Sequence, residues 1–136
     1  MPTIRRFEEI EAWQTARELT RMIYSITDEG KISRDFGLKD QLRRASVSVM
    51  SNIAEGFESS SQALFIRYLG IAKASAGEVR SQLYVARDVA FLSDQQFSTL
   101  FQLAEKASRQ ISRFMSYLET HPQSQYVKEE MSEYEV

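Results

Sequence analysis

The segment QLRRASVSVMSNIAEG, residues 41–56, is the most informative about the fold of this 136-residue chain. Its apolar residues recur at intervals of three or four, which places them on one line along a helix: Leu42, Ala45, Val49 and Ile53. A neighbouring line is polar and consists of Gln41, Arg44, Ser48, Asn52 and Glu55. Small alanines and serines lie between the two lines and let other helices approach closely. The pattern therefore indicates a helix that is enclosed on more than one side.

A first amphipathic helix is predicted before this segment, over residues 8–27. Its apolar side consists of Ile10, Trp13, Ala16, Ile23 and Ile26. Residues 28–38 contain two glycines and read as a break between helices. Within this break we expect Phe36 and Leu38 to anchor the chain into the core.

Two long helices are predicted after it. Ser59 with Gln62, and Ser93 with Gln96, have the spacing of capping boxes, which predicts a helix start at each place. The third helix, expected to run as far as residue 92, has the seam Phe65, Leu69, Ala72, Ala76, Val79, Leu83, Ala86 and Ala90. The fourth has the seam Phe97, Leu100, Ala104, Ala107, Ile111, Phe114 and Leu118. Because the turn between them is short, these helices should be antiparallel neighbours.

The fold class predicted from these elements is all-α, an antiparallel up-and-down four-helix bundle over residues 1–119. Residues 120–136 differ from the bundle in charge, because they hold one Lys against four Glu, whereas residues 1–119 hold 16 Lys and Arg against 15 Asp and Glu. We expect this acidic C-terminal tail to be mobile. A near-neutral bundle argues against nucleic-acid binding driven by bulk charge, but it allows a local basic face.

The composition excludes several classes of protein. The chain has no cysteine, so disulfides, thiolate metal ligands and cysteine nucleophiles are absent. No apolar run approaches the roughly 20 residues that a membrane-spanning helix needs. The N-terminus enters charged sequence at once, without the apolar core of a secretory signal. We therefore expect a cytoplasmic protein with no membrane association.

The inventory of catalytic residues is also poor. The single histidine, His121, stands beside a proline at the edge of the tail, and we interpret it as a solvated tail residue. Without further histidines, no His-based general base or di-metal carboxylate site can form in the bundle. The five glycines never form a phosphate-binding loop. These absences predict a protein that is not an enzyme and that uses no metal or cofactor.

A polar group on the second and third helices leaves two interpretations open. It consists of Asn52, Glu55, Ser75, Glu78 and Gln82. The first and favoured interpretation is a buried hydrogen-bonded network that fixes the register of the helices. The second is a small polar pocket, or two carboxylates that hold a cation.

Basic residues recur on several helix faces and are candidate phosphate contacts. They are Arg43, Arg44, Lys73, Arg80, Arg87, Lys106, Arg109 and Arg113. Lys73, Arg80 and Arg87 are seven residues apart, so they share one side of the third helix. Such stripes can hold a nucleic-acid backbone. The alternative is a solvated face in which each cation pairs with a neighbouring carboxylate.

Three motifs give the chain a resemblance to a known family. They are Trp13-Gln14-x-Ala16, the segment Gly37-Leu38-x-x-Gln41-Leu42-Arg43-Arg44-Ala45-x-Val47-Ser48-Val49-x-x-Asn52-Ile53-Ala54-Glu55-Gly56, and Phe65-x-x-Tyr68-Leu69-x-Ile71-Ala72-x-x-Ser75-x-x-Glu78-x-x-x-Gln82-Leu83. Over about residues 7–118 the chain closely resembles the bacterial four-helix-bundle proteins named after the 23S rRNA intervening sequence.

The resemblance implies a left-handed bundle that assembles as a ring-like homopentamer, with no established enzymatic activity and an association with RNA. The accessory variability proteins of diversity-generating retroelements are similar, and they bind nucleic acid and a reverse transcriptase through a basic pentamer.

Assembly is also expected from residues that lie largely off the apolar seams. They are Ile66, Tyr84, Phe91, Phe101, Leu103 and Met115, and a lone bundle would expose them. A ring would repeat each basic stripe and make weak contacts multivalent. The sequence thus predicts a non-catalytic homo-oligomer that binds RNA. The alternative is a scaffold that binds a protein partner such as a nucleic-acid enzyme. We also expect the acidic tail to compete with nucleic acid for the basic face.

Overall fold

Four α-helices form the computed structural model, which describes residues 3–121. They are α1 (Glu11–Thr27), α2 (Phe36–Glu58), α3 (Gln62–Asp88) and α4 (Asp94–Thr120), with short 3-10 turns at Phe7–Glu9 and Lys31–Arg34. Each helix packs against the next one along the chain, and α4 returns to α1. Because the connections are short, successive helices are antiparallel. The described residues contain no strand, and the predicted all-α four-helix bundle is confirmed.

The core consists of two adjoining clusters along the bundle axis. One cluster contains Trp13, Phe57, Phe65 and Phe114, and the other contains Leu19, Ile23, Leu83 and Leu100. All the seam residues predicted for α2 and α4 are buried, as are those predicted for α3 up to Ala86. The period of the apolar residues therefore identified the core correctly, because burial of one stripe provides most of the stability of a helix in a protein.

The start of α2 differs from the prediction. The helix begins at Phe36 because the Asp35 side chain caps it, accepting a hydrogen bond from the backbone N of Leu38 at 3.0 Å. Phe36 is 75% exposed, so its predicted role as a core anchor was wrong. Ile32, in the preceding 3-10 turn, is buried and packs in the core together with the partly buried Leu38.

The start of α3 also differs, because Ser59 and Gln62 do not form the predicted capping box. Ser59 ends α2, and its hydroxyl donates to the carbonyl of Gly56 at 2.6 Å. Ser61 caps α3 instead, accepting from the backbone N of Leu64 at 3.2 Å. The Gln62 side chain reaches away from the cap to the end of α4. Three successive serines, residues 59–61, precede the helix, and their spacing alone did not identify the cap.

Gly56 lies where α3 approaches α2 closely. A Cβ at this position would come within 2.8 Å of Phe65 Cδ1 and 2.9 Å of Tyr68 Cβ, closer than carbon atoms pack. Glycine is therefore required at this position for close approach of the two helices rather than for an unusual backbone angle.

The end of α3 comes at Asp88, earlier than predicted, so Ala90 lies outside the helix and is exposed. Ala90 has a positive φ of 61°. The backbone N of Phe91 donates to the carbonyl of Ala86 at 2.8 Å, and the N of Ala90 donates to that of Arg87 at 2.9 Å. This pair of bonds is a Schellman motif, with alanine where glycine is usual.

The α4 helix begins as predicted. Ser93 and Gln96 form a complete capping box, in which each side chain accepts from the other residue's backbone N, at 3.1 Å and 2.9 Å. Within residues 3–121, no helix is long and apolar enough to cross a membrane.

Candidate nucleic-acid interface

The predicted phosphate contacts do not share one surface, and Arg43 is the clearest case. It lies at the start of α2 and faces the end of α1, where its Nε donates to Thr27 Oγ1 at 2.9 Å and its Nη2 to the carbonyl of Tyr24 at 3.3 Å. Its guanidinium lies 4.3 Å from the centre of the Tyr24 ring. The Arg43 side chain is 22% exposed. A cation at a helix C-terminus also interacts favourably with the helix dipole, so Arg43 ties α2 to α1.

Arg44, the next residue, lies beside the groove between α2 and α3. It is exposed, and its Nε donates to Asp40 at 2.8 Å, one turn earlier on the same helix. Gln41, Ser48, Glu78 and Gln82 line the same groove. Arg43 and Arg44 therefore point to different neighbouring helices although they are adjacent in sequence.

Lys73, Arg80 and Arg87 lie on the side of α3 that faces α4. Their spacing of seven keeps them on one side, and the Arg87 guanidinium lies 4.2 Å from the ring centre of Phe97 in α4. Lys73 and Arg87 are exposed, and Arg80 is half-buried. Within the described part of the chain, these three side chains make no hydrogen bond or ion pair. They form a basic row without ion pairs, which we call the α3 basic row.

The three candidates on α4 are all exposed but differ in position. Arg109 forms a loose ion pair at 3.9 Å with Glu105, which lines a hollow together with Arg87 of the α3 basic row. Arg113 lies toward α1, where it lines a cavity with Ile4, Ile10 and Gln110. Arg109 therefore extends the α3 basic row across to α4, whereas Arg113 and Arg43 lie away from it. Lys106 is exposed on α4, one turn before Arg109.

An aromatic cluster lies at the Arg87 end of the row. The Tyr84 ring lies 5.2 Å from that of Phe97 and 5.4 Å from that of Phe101, and the two phenylalanine rings stack at 5.1 Å. Arg87 covers this cluster, 5.3 Å from the Tyr84 ring centre. The sequence alone predicts Tyr84 and Phe101 only as exposed apolar residues. The one signal available was the one-turn spacing of Tyr84 and Arg87, and the pairing with α4 required the structure.

The polar group between α2 and α3 is joined through Ser48. The hydroxyl groups of Ser48 and Ser75 lie 2.8 Å apart, and Asn52 Nδ2 donates to Ser48 Oγ at 2.9 Å. The predicted members Glu55 and Glu78 are exposed to solvent. The Oε1 atom of Gln82, another predicted member, is buried and has no hydrogen-bond donor among the residues described. No group of three or more acidic or histidine residues within 3–121 could hold a metal ion.

Exposed apolar residues lie elsewhere than predicted. Of the six residues expected to favour assembly, only Tyr84 is exposed, while the partly buried Ile66, Phe91, Phe101, Leu103 and Met115 pack against the core. The other large exposed apolar residues of α3 are Leu64, Ile71 and Val85, and they form a stripe that Val89 continues directly after the helix end. Ile71 is seven residues from Leu64, and Val85 is fourteen from Ile71, so the stripe follows one side of α3.

The sole histidine, His121, lies at the C-terminal end of α4. Its ring stacks on that of Tyr117 at 4.2 Å, and its Nδ1 lies 2.9 Å from the Tyr117 carbonyl oxygen. The remaining residues of the predicted tail, from 122 onward, lie outside the described residues.

Comparison with known proteins agrees with this architecture. The family described as 23S rRNA-intervening sequence protein matches residues 8–113. The chain belongs to this family. A crystal structure at 1.70 Å of a protein with unknown function, from the S23 ribosomal protein family of Bacteroides thetaiotaomicron VPI-5482, has the same fold, with a TM-score of 0.70 at 20% sequence identity. The alignment covers 76% of this chain and 97% of that chain. No curated protein matches the sequence significantly.

The region that matches the 23S rRNA-intervening sequence protein family includes the whole basic and aromatic surface. Lys73, Tyr84, Arg87, Phe101 and Arg109 all lie within residues 8–113. This surface is therefore part of the family domain of the chain.

Proposed function

We propose that the protein is a non-catalytic, homo-oligomeric four-helix bundle that binds RNA through the side formed by α3 and α4. The observation that carries the proposal is the α3 basic row. Lys73, Arg80 and Arg87 lie on one side of the helix, and none of them forms an ion pair within residues 3–121. Cations that lack an internal partner are free to contact phosphates.

The charge on this side is local. The whole chain has a formal net charge of -2, so attraction by bulk charge is not available. Arg109 adds a fourth cation beside the row, and its ion pair with Glu105 is exposed at 3.9 Å. An exposed pair of this kind contributes about 0 to 1 kcal/mol, so a phosphate can replace the carboxylate at small cost.

The homo-oligomer is supported by the apolar stripe on α3. The 27 residues of this helix span about 40 Å, and the stripe extends along most of that length. Burial against a second copy would remove it from water. The resemblance described above implies five subunits. Repetition of the α3 basic row around a ring would then increase avidity without any new contact.

A charge-reversal experiment tests the RNA-binding surface. The variant Lys73→Glu/Arg80→Glu/Arg87→Glu is compared with the control Arg17→Glu/Arg21→Glu/Arg34→Glu, which reverses three exposed cations elsewhere and changes net charge equally. Each protein is treated with nuclease and purified, and its affinity for labelled RNA is measured by fluorescence anisotropy at several salt concentrations. We expect the first variant to bind at least about tenfold more weakly, with a smaller salt dependence, and the control to bind nearly as wild type. Equal losses in the two variants would contradict a local binding surface.

Light scattering on the same preparations tests the assembly. A mass of several subunits supports the homo-oligomer, and a monomer contradicts it. Substitution Ile71→Glu/Val85→Glu places charge in the apolar stripe and should dissociate the assembly.

A protein partner is the second candidate function, because the same apolar stripe also suits a protein interface. In that case the protein is a scaffold for a nucleic-acid enzyme. Recovery of one defined partner in a pull-down after nuclease treatment, lost in the Ile71→Glu/Val85→Glu variant, would favour the scaffold over direct RNA binding.

A further inference from the structure

Tyr84 is held rigidly and is still open to solvent. Phe97 contacts its ring at an interplanar angle of 52°, and Phe101 contacts it edge-on at 71°. Its exposure is nevertheless 45%. Contacts with two other rings restrict the motion of a tyrosine, so a planar ligand that stacks on it loses little further side-chain entropy.

Arg87 adds a second planar group beside this ring. Its guanidinium lies 4.2 Å from the Phe97 ring centre and 5.3 Å from that of Tyr84. No carboxylate or carbonyl within the described chain accepts a hydrogen bond from it. A guanidinium that is positioned by rings alone keeps its donors available for the edge of a base or for a phosphate.

The carboxylates near this cluster favour a base over a phosphate. Asp94 and Glu105 line the same hollow as Arg87, Phe97 and Phe101. A phosphate placed in the hollow would be repelled by these groups, whereas the amino group of a base can donate to them. Arg80, one helical turn from Tyr84, and Lys73, two turns further, offer phosphate contacts outside the hollow.

We propose that Tyr84 and Arg87 form a platform on which an unpaired base stacks, so that the ligand of this side is single-stranded nucleic acid. The inference rests on the proposed function and narrows it. Aromatic side chains and arginine planes stack bases of single strands, while paired bases within a duplex present only their edges. The strand places its bases on the platform and its phosphates along Lys73 and Arg80.

The chain provides a matched control on the opposite side of the bundle. Tyr24 is 42% exposed and also lies beneath an arginine, Arg43, at 4.3 Å. There, however, the guanidinium donates to Thr27 Oγ1 and to the Tyr24 carbonyl. An effect specific to Tyr84 therefore cannot come from loss of an exposed tyrosine in general.

The experiment compares wild type, Tyr84→Leu, Tyr84→Phe and Tyr24→Leu. Anisotropy is measured with labelled single-stranded RNA and DNA of about 12 nucleotides and with an RNA duplex of the same sequence. We expect Tyr84→Leu to bind both single strands roughly tenfold more weakly and the duplex unchanged. Tyr84→Phe and Tyr24→Leu should retain wild-type affinity. A loss confined to RNA would contradict the platform, because stacking of a base does not depend on the 2′-hydroxyl.

A second variant keeps the test independent of any folding defect in Tyr84→Leu. In Tyr84→Trp the introduced indole should be quenched when a single strand saturates the protein, after subtraction of the wild-type signal from Trp13. Unchanged emission at saturation, or equal losses for single strand and duplex in Tyr84→Leu, would overturn the platform while leaving the proposed function intact. If wild type binds neither single strand nor duplex, the proposed function fails together with the platform.

Discussion

The bundle contains two arginine–tyrosine pairs that look alike but have different surroundings. In both, a guanidinium lies over a tyrosine ring near the C-terminus of a helix, Arg43 over Tyr24 and Arg87 over Tyr84. Arg43 also donates to Thr27 and to the backbone of α1, whereas Arg87 contacts rings alone within the described residues. Contact with a ring therefore does not reveal whether an arginine supports the fold or is available to a ligand.

The helix ends explain the difference. At the end of α1, the Tyr24 carbonyl accepts from Arg43 Nη2 at 3.3 Å and from Thr27 Oγ1 at 3.4 Å. At the end of α3, the carbonyls of Ala86 and Arg87 receive theirs from the backbone N of Phe91 and Ala90. Because the Schellman motif satisfies the end of α3 from within the backbone, Arg87 is not needed there.

The largest effect that separates the pairs should be on stability. We expect Arg43→Ala to lower the free energy of unfolding by about 2 kcal/mol, because it removes hydrogen bonds from a charged donor that is mostly buried. Arg87→Ala should cost no more than about 1 kcal/mol, the value of an exposed cation–π contact. Chemical denaturation measures both. Arg44→Ala is the control, since its exposed ion pair with Asp40 contributes little. Equal losses for Arg43 and Arg87 would contradict the comparison.

A gain in stability is expected at the end of α3. Ala90 has a φ of 61°, which is unfavourable for a residue with a Cβ. We expect Ala90→Gly to raise the free energy of unfolding by about 1 kcal/mol without changing RNA affinity. Ser81→Gly, at an exposed position inside the helix, should instead lower it by about 0.5 kcal/mol. A loss of stability in Ala90→Gly would mean that α3 does not end in this motif.

The smallest effect concerns the acidic tail. If the tail competes with RNA for the α3 basic row, deletion of residues 122–136 should tighten RNA binding by roughly two- to fivefold at low salt. The gain should disappear in the Lys73→Glu/Arg80→Glu/Arg87→Glu background and persist in the Arg17→Glu/Arg21→Glu/Arg34→Glu control. Anisotropy titrations of the four combinations measure this. An equal gain in both backgrounds would show that the tail acts through net charge alone.

The spacing of apolar residues predicted the fold well, because the buried positions of a helix are apolar and recur every three or four residues. Leu42, Val49 and Ile53 illustrate this, since all three are buried as expected. Helix ends were harder to predict, because several serines near the start of α3 have the chemistry of a cap and only backbone geometry selects Ser61. The prediction that Phe36 anchors the core was wrong for a related reason: capping by Asp35 places Phe36 on the exposed first turn of α2.

The candidate site was predicted only in part. The spacing of seven indicated that Lys73, Arg80 and Arg87 share a side of α3, but their neighbours on α4 depend on how the two helices are aligned lengthwise. That alignment places Phe97 and Phe101 beside Tyr84 and is set by packing between distant parts of the chain. Arg43 was predicted as a phosphate contact but is bound within the fold. Its partners Thr27 and Tyr24 are 16 and 19 residues away in sequence, so the local pattern did not indicate them.

Gln62 fixes the position from which the C-terminal segment leaves the bundle. Its Nε2 donates to the carbonyl of Leu118 at 2.7 Å and to that of His121 at 3.3 Å, so the last residues of α4 are tethered to the start of α3. The following 15 residues thus leave from a fixed anchor point and have a maximum contour length of about 50 Å. Arg87 lies 25 residues along α3 from Gln62, a distance of about 38 Å. Fully extended, this segment is therefore long enough for Glu133 and Glu135 to reach every cation of the α3 basic row.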